Sequence, residues 1–249
     1  HNAATGRERS LPQNIERDVT TPRHIVVVGG GPAGMEAARV SASRGHRVTL
    51  LEAASDLGGQ LRIAAKAPCR NDLIGIVRWM EDECTALGVD VRTNIYAEAS
   101  DVLALSPDVV LIATGGLPNT QICEGAQAAL SCIDVLTDSA MPAEHVLVYD
   151  DHGDHQALSC ARTLAERGAK VTLATPDRMV GEEVGLSNID PYLSAFDSLG
   201  INVIADVRLR KIESQSGGYS VVLRHEFSGN DRIVETGAIV IEHGVLPLD

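Results

Sequence analysis

Three glycines at a fixed spacing, Gly29, Gly31 and Gly34, follow directly on the apolar run Ile25–Val28. The pattern is GxGxxG at the end of a β-branched strand, with good helix formers from Met35 onward. Each glycine has a physical task. Gly29 allows a tight turn out of the strand. Gly31 has no side chain to keep a diphosphate from the backbone. Gly34 lets helix and strand pack closely. Pro32 and Ala33 then fall in the first helical turn, where free N–H groups and the positive end of the helix dipole face an anion. A second apolar strand, Arg47–Leu51, ends in Glu52, an acid placed to accept hydrogen bonds from ribose hydroxyls. The chemistry expected of this set is the binding of a dinucleotide. Two further segments belong with it. Gly58 and Gly59 precede Gln60 and Leu61, and the apolar strand from Asp108 ends in Ala113, Thr114 and Gly115. Either segment alone would also serve as a plain turn.

A second stretch keeps the frame and loses the chemistry. Glu144–Leu173 again reads strand, loop, helix, strand, but its loop carries Asp150, Asp151, His152, Asp154 and His155. Counted from the strand, the three glycines correspond to Asp150, His152 and His155. Counted back from the shared Arg-Gly pair, they correspond to His152, Asp154 and Ala157. Glu52 becomes Thr175. A carboxylate here satisfies the helix N–H groups itself and repels a diphosphate. The second copy is therefore expected not to bind NAD(P). A metal site built from these acids and histidines is the alternative. Adjacent loop residues seldom converge on an ion, so a polar loop capping a helix is preferred and no metal ligand is assigned.

The elements that must position these residues form an internal repeat. RGHRVTLLE answers RGAKVTLAT, LGVDV answers LGINV, and DVVLIATGGLP answers GAIVIEHGVLP. The expected fold class is α/β, with two Rossmann-like, glutathione reductase-type nucleotide-binding domains. The second adds a small β-meander between Asp206 and Glu242, where alternating strands are separated by Gly-containing turns. The expected boundaries are 1–23 for an extended connection, 24–143 for the first domain and 144–249 for the second. The polar, Pro-punctuated opening from His1 reads as a chain cut from something longer.

Bulk properties exclude several classes. A net charge of −13 argues against nucleic acid. No apolar run approaches a membrane span. Cys69, Cys84, Cys123, Cys132 and Cys160 form no CxxC pair, which fits scattered thiols in a cytoplasmic protein rather than a metal or cluster site.

The segments HNAATGRE and GGGPAGMEAARVSASRGHRVTLLEAASDLGGQL, with the two-domain repeat, resemble the old-yellow-enzyme-related iron–sulfur flavoproteins. That group includes trimethylamine and histamine dehydrogenases, N-methylproline demethylase-like proteins and 2,4-dienoyl-CoA reductases. The resemblance covers essentially the whole chain. It implies a parent with an N-terminal (β/α)8 barrel carrying FMN, then a 4Fe–4S cluster, then the two nucleotide-binding domains seen here. It implies that the first domain holds FAD or ADP through Gly29, Gly31, Pro32, Ala33, Gly34, Glu52, Gly59, Gln60, Leu61, Ala113, Thr114 and Gly115. The segment that returns from the C-terminal side to complete the first domain, and any catalytic residue, would lie outside this chain, leaving it inactive alone. The altered second loop points to the branch that oxidises amines and passes electrons to a protein acceptor such as an electron-transfer flavoprotein, in a homo-oligomeric parent. An NAD(P)H-dependent dienoyl-CoA or enoate reductase and a non-catalytic nucleotide-binding scaffold are the alternatives.

Overall fold

A computed structural model describes residues 5–11, 15, 17, 20–138 and 143–248. The chain divides into two units. The first comprises residues 1–62, 72–115 and 248–249, and the second 63–71 and 116–247.

In the first unit β1 (His24–Val28) leads into α1 (Pro32–Ser43), and β2 (Arg47–Leu51) follows. A short helix α2 (Gln60–Ala64) starts in this unit. Then come α3 (Ile74–Ala86), β3 (Asp90–Arg92), α4 (Ala99–Ala104) and β4 (Val109–Ile112). The four strands form one parallel sheet in the order β3-β2-β1-β4. Strand β1 is a continuous apolar run from Ile25 to Val28, and β2 is apolar apart from Arg47 and Thr49, because both of their faces are covered. Ile25, Val27, Val48 and Leu50 pack against Met35, Ala38, Val77 and Cys84 from α1 and α3, while Val26 and Leu51 meet Val102 of α4.

The second unit begins with β5 (Gly116–Pro118), β6 (Leu130–Ser131) and α5 (Cys132–Thr137). It continues through β7 (His145–Asp150), α6 (His155–Glu166), β8 (Lys170–Ala174), α7 (Leu186–Leu199) and β9 (Asn202–Ile204). Strands β10 (Val207–Gln215), β11 (Gly218–His225) and β12 (Asp231–Thr236) form an antiparallel meander. Strand β13 (Ala238–Glu242) returns to the parallel sheet β6-β13-β7-β8-β9, and β14 (Val245–Pro247) pairs with β5. Alternation along the strands sends Val146, Val148, Val171 and Leu173 to α5, α6 and α7. Leu147, Tyr149, Ile239 and Ile241 face Leu209, Ile212, Val221 and Leu223 of the meander.

The α/β class and the doubled nucleotide-binding architecture are as the sequence indicates. Two boundaries differ. The chain passes between units at Gly115/Gly116 rather than at 143/144. The reason is pairing: β6 hydrogen-bonds to β13, and its neighbour α5 contributes Cys132 and Val135 to the second unit's core. The meander also ends at Thr236, because Ala238–Glu242 is a buried parallel strand rather than its last ribbon. The opening stretch is described only in part. Its residues 5–11 include a turn closed by the Leu11 N–H on the Arg7 carbonyl at 2.9 Å.

Candidate nucleotide-binding site

The site of the first unit is built by one strand-to-helix turn. Gly29 adopts φ +103°, and a β-carbon there would run into the Ala113 carbonyl. That carbonyl is held by the neighbouring strand, whose Ala113 N–H donates to the Val28 carbonyl at 2.8 Å. A β-carbon on Gly34 would overlap the Gly29 carbonyl. The first and third glycines are therefore needed by the packing of the fold itself. Gly31 is different. It caps α1 with extended backbone (φ −71°, ψ 179°), no side chain caps the helix, and a β-carbon on it would meet nothing within 4 Å. No acid sits in the first turn of α1. An uncapped helix N-terminus facing open space is a cradle for an anion.

Other expected residues surround this opening. The Glu52 carboxylate accepts from the Gly30 N–H at 2.5 Å and from the Ala54 N–H at 2.7 Å. It is fixed at the end of β2, beside the glycine turn. Gly59 lies over Gly31, so that a β-carbon on it would be 3.1 Å from the Gly31 Cα, and the Gly58 N–H donates to the Gly30 carbonyl at 2.8 Å. Pro32 and Ala33 begin α1, with Ala33 exposed. Gln60 is exposed at the start of α2, and Leu61 packs partly into the core. Thr114 and Gly115 turn elsewhere. The Thr114 hydroxyl donates to the Leu248 carbonyl at 2.7 Å, and the Gly115 carbonyl accepts from the Leu248 N–H at 3.0 Å. Gly30 is the residue that sequence reasoning passed over. Its β-carbon would lie 2.5 Å from Leu57 and 2.9 Å from the Glu52 carboxylate. The run of three consecutive glycines was the available signal.

The second unit resolves the two registers by combining them. From the strand, Asp150 stands where Gly29 stands, since Tyr149 and Val28 both occupy the last paired position beside the following strand. From the helix, Asp154 is the cap and Ala157 the third inner residue, matching Gly31 and Gly34. The two extra residues lie between. The fully buried Asp150 carboxylate accepts from the His152 N–H at 3.1 Å and the Gly153 N–H at 3.0 Å, while Asp154 accepts from the His155 N–H at 2.7 Å. Thr175 is buried at the position of Glu52 and accepts from the Asp177 N–H at 3.1 Å. Over α6, the Tyr192 hydroxyl gathers Arg70, His155 and Ser159, a cluster with no signature in the local residue pattern. Among the described residues no three His, Cys, Asp or Glu side chains converge as a metal-holding group.

Burial pushes the Asp150 carboxyl up from 3.8 to about 6, against the two N–H donors and with help from the nearby Glu242 and Asp177 charges. Its second oxygen has no hydrogen-bond partner among the described residues. An acid whose folded-state value is raised stabilises the fold below its unfolded value, and that contribution is lost as pH rises through the folded value. The difference corresponds to roughly 3 kcal/mol at about 1.4 kcal/mol per unit. Asp150→Asn keeps the accepting oxygen but places an unpaired amide in the other position. The expected result is a gain of about 2 kcal/mol at pH 7.5 that shrinks between pH 6 and pH 4. Urea unfolding followed by circular dichroism at both ends of that window checks it; a gain independent of pH would mean that ionisation is not the cause.

Residues 12–149 match the sequence model of the pyridine nucleotide-disulphide oxidoreductase family. Over its full length the chain is 42% identical to a probable N-methylproline demethylase of Rhizobium meliloti and covers 37% of that protein. It is likewise 42% identical, over its full length, to a multifunctional alkene reductase/demethylase of Caballeronia cordobensis, again covering 37%. The structure of a 2-naphthoyl-CoA reductase in complex with 2-naphthoyl-CoA superposes on 98% of the chain and 36% of the reductase, with a TM-score of 0.85 at 27% identity. The chain thus spans little more than a third of the length of these relatives, and the expected kinship with N-methylproline demethylase-like proteins is found.

Proposed function

The chain belongs to the pyridine nucleotide-disulphide oxidoreductase family, and from that premise we propose that it is the nucleotide-binding part of a flavin-dependent oxidoreductase of the demethylase or amine dehydrogenase type. In this reading the first unit holds FAD or ADP and the second holds no dinucleotide. The parent carries FMN and a 4Fe–4S cluster elsewhere, acts as a homo-oligomer, and delivers electrons to a protein acceptor such as an electron-transfer flavoprotein. Five free thiols suit a cytoplasmic setting, and no helix among the described residues is long and apolar enough to cross a membrane.

One contrast carries the proposal. The two units share a turn, but α1 presents an uncapped N-terminus beside the bare Gly31, whereas in the second unit Asp150 and Asp154 already take the N–H groups. Gly31 admits the diphosphate, the α1 terminus neutralises it, and Glu52 orients the ribose from the end of β2. A bound FAD would supply a two-electron carrier. These relatives, a demethylase, an alkene reductase/demethylase and a CoA-ester reductase, leave an NAD(P)H-dependent enoate reductase as the second reading.

Calorimetric titration of the chain with FAD, ADP and NADPH separates the readings. The expected result is saturable binding of FAD or ADP at one site per chain, with no heat from NADPH once that site is filled. NADPH binding in the presence of saturating ADP would overturn the reading of the second unit and favour the reductase.

A further inference from the structure

The second unit contains a cleft that the nucleotide reading leaves unused. It has a volume of about 360 Å³ and lies where the C-terminal ends of β7 and β13 meet β10 and the loop after β5. Ligand pockets run from roughly 300 to 1,000 Å³, so this one suits a single small molecule.

Its walls are chemically selective. Arg208 and Arg210 both line it from β10. Arg208 holds Glu226 through its Nε at 2.6 Å, which leaves its terminal nitrogens to other partners. Arg210 forms no ion pair among the described residues, although its charge helps hold Asp231 down. Arg210 is also the extra residue of a β-bulge, since Leu209 pairs with Leu223 and Lys211 with Val222. A bulge leaves one residue out of the ladder and re-aims its side chain, a device common beside binding sites. Opposite stands His243, whose Nδ1 meets the Asp151 carboxylate at 2.5 Å, with the Asp151 side chain only 9% exposed. That bond fixes the ring and leaves Nε2 without a partner among the described residues. The floor is the buried Tyr149, whose hydroxyl burial pushes up to about 12, against a backbone hydrogen bond from Leu209. Amide side chains of Asn119 and Gln121 complete the rim. Among the lining residues two arginines stand against a single carboxylate, Asp151, which already meets His243.

We propose that this cleft is a binding site for a small oxyanion-bearing metabolite, a carboxylate or phosphate ester no larger than a mononucleotide, gripped by Arg210 and Arg208 and oriented by the His243–Asp151 pair. The planar guanidinium fork matches either anion in a bidentate way. The ligand is not a dinucleotide, because the loop N–H groups that would hold a diphosphate are occupied by Asp150.

The test is calorimetry on the full chain carrying Gly31→Asp, so that the glycine turn of the first unit does not take up the anion. Inorganic phosphate and malonate are titrated separately at constant ionic strength, with sodium chloride as the control. At least one is expected to bind at one site per chain. Adding Arg210→Gln should weaken it tenfold or more, and adding His243→Gln severalfold. Binding of phosphate alone assigns a phosphate ester, and binding of malonate alone assigns an organic carboxylate. The proposal is overturned if neither anion binds more than chloride does, if binding is unchanged by Arg210→Gln, or if NADPH displaces the anion.

Discussion

The variant Gly31→Asp is expected to fold as well as the parent chain and to bind FAD or ADP at least a hundredfold more weakly. Both halves of the expectation come from the same geometry. A β-carbon at position 31 meets nothing, and the backbone there (φ −71°, ψ 179°) suits any residue. Aspartate is a better helix cap than glycine by a few tenths of a kcal/mol, so thermal stability should hold or rise slightly. Binding fails for the reason seen in the second unit, where Asp154 occupies the equivalent cap and donates nothing to a phosphate. A carboxylate in the cradle repels the diphosphate and takes its N–H partners. A hundredfold loss corresponds to about 2.7 kcal/mol, within the range for placing like charges together and losing charge-assisted hydrogen bonds. Calorimetry and a melting curve on the same sample decide it. Retained affinity would show that the nucleotide is held elsewhere, and lost folding would show that the turn itself, not only the ligand, needs glycine at position 31.

Gly29→Ala should do the opposite, damaging the fold before any ligand is added. At φ +103° an L-residue is strained by about 1–2 kcal/mol. The new methyl group also overlaps the Ala113 carbonyl, which β1 and β4 hold between them, and overpacking of that kind costs a further ~1–3 kcal/mol. The sum is roughly 4 kcal/mol, a large share of the stability of a small unit. Trp79, the single tryptophan of the chain, lies on α3 with the Arg39 guanidinium 5.3 Å from its ring, so its fluorescence reports on the first unit. The urea midpoint should fall by roughly 2 M at an m-value of about 2 kcal/mol/M. A midpoint unmoved by the substitution would mean that β4 yields easily, and that Gly29 serves the ligand rather than the turn.

The residue pattern by itself determined the local part of this protein. Strand, turn and helix at Ile25–Ser43 are legible because apolar period, glycine spacing and helix propensity all act within a few residues. The same holds for the meander, whose strands alternate between Gly-containing turns, and for the repeat that pairs β1, α1, β2, β3 and β4 with β7, α6, β8, β9 and β13. The capping of the second turn by its own carboxylates at Asp150 and Asp154 was also readable, since a carboxylate at a helix N-terminus takes up N–H groups in any fold.

What only the tertiary structure decided depends on partners far apart in the chain. The register of the altered loop stayed open in the sequence because strand and helix each define a frame, and the two extra residues between them are silent until both are placed. The unit boundary moved to Gly115/Gly116 because β6 finds its partner in β13, more than a hundred residues later. Asp151 and His243 lie 92 residues apart, and Arg210 leaves the alternation of β10 only through a bulge against β11. Sequence periodicity records which face a residue occupies. It does not record the order of strands in a sheet or the slip of one ladder against another, and in this protein those two quantities bring the cleft together.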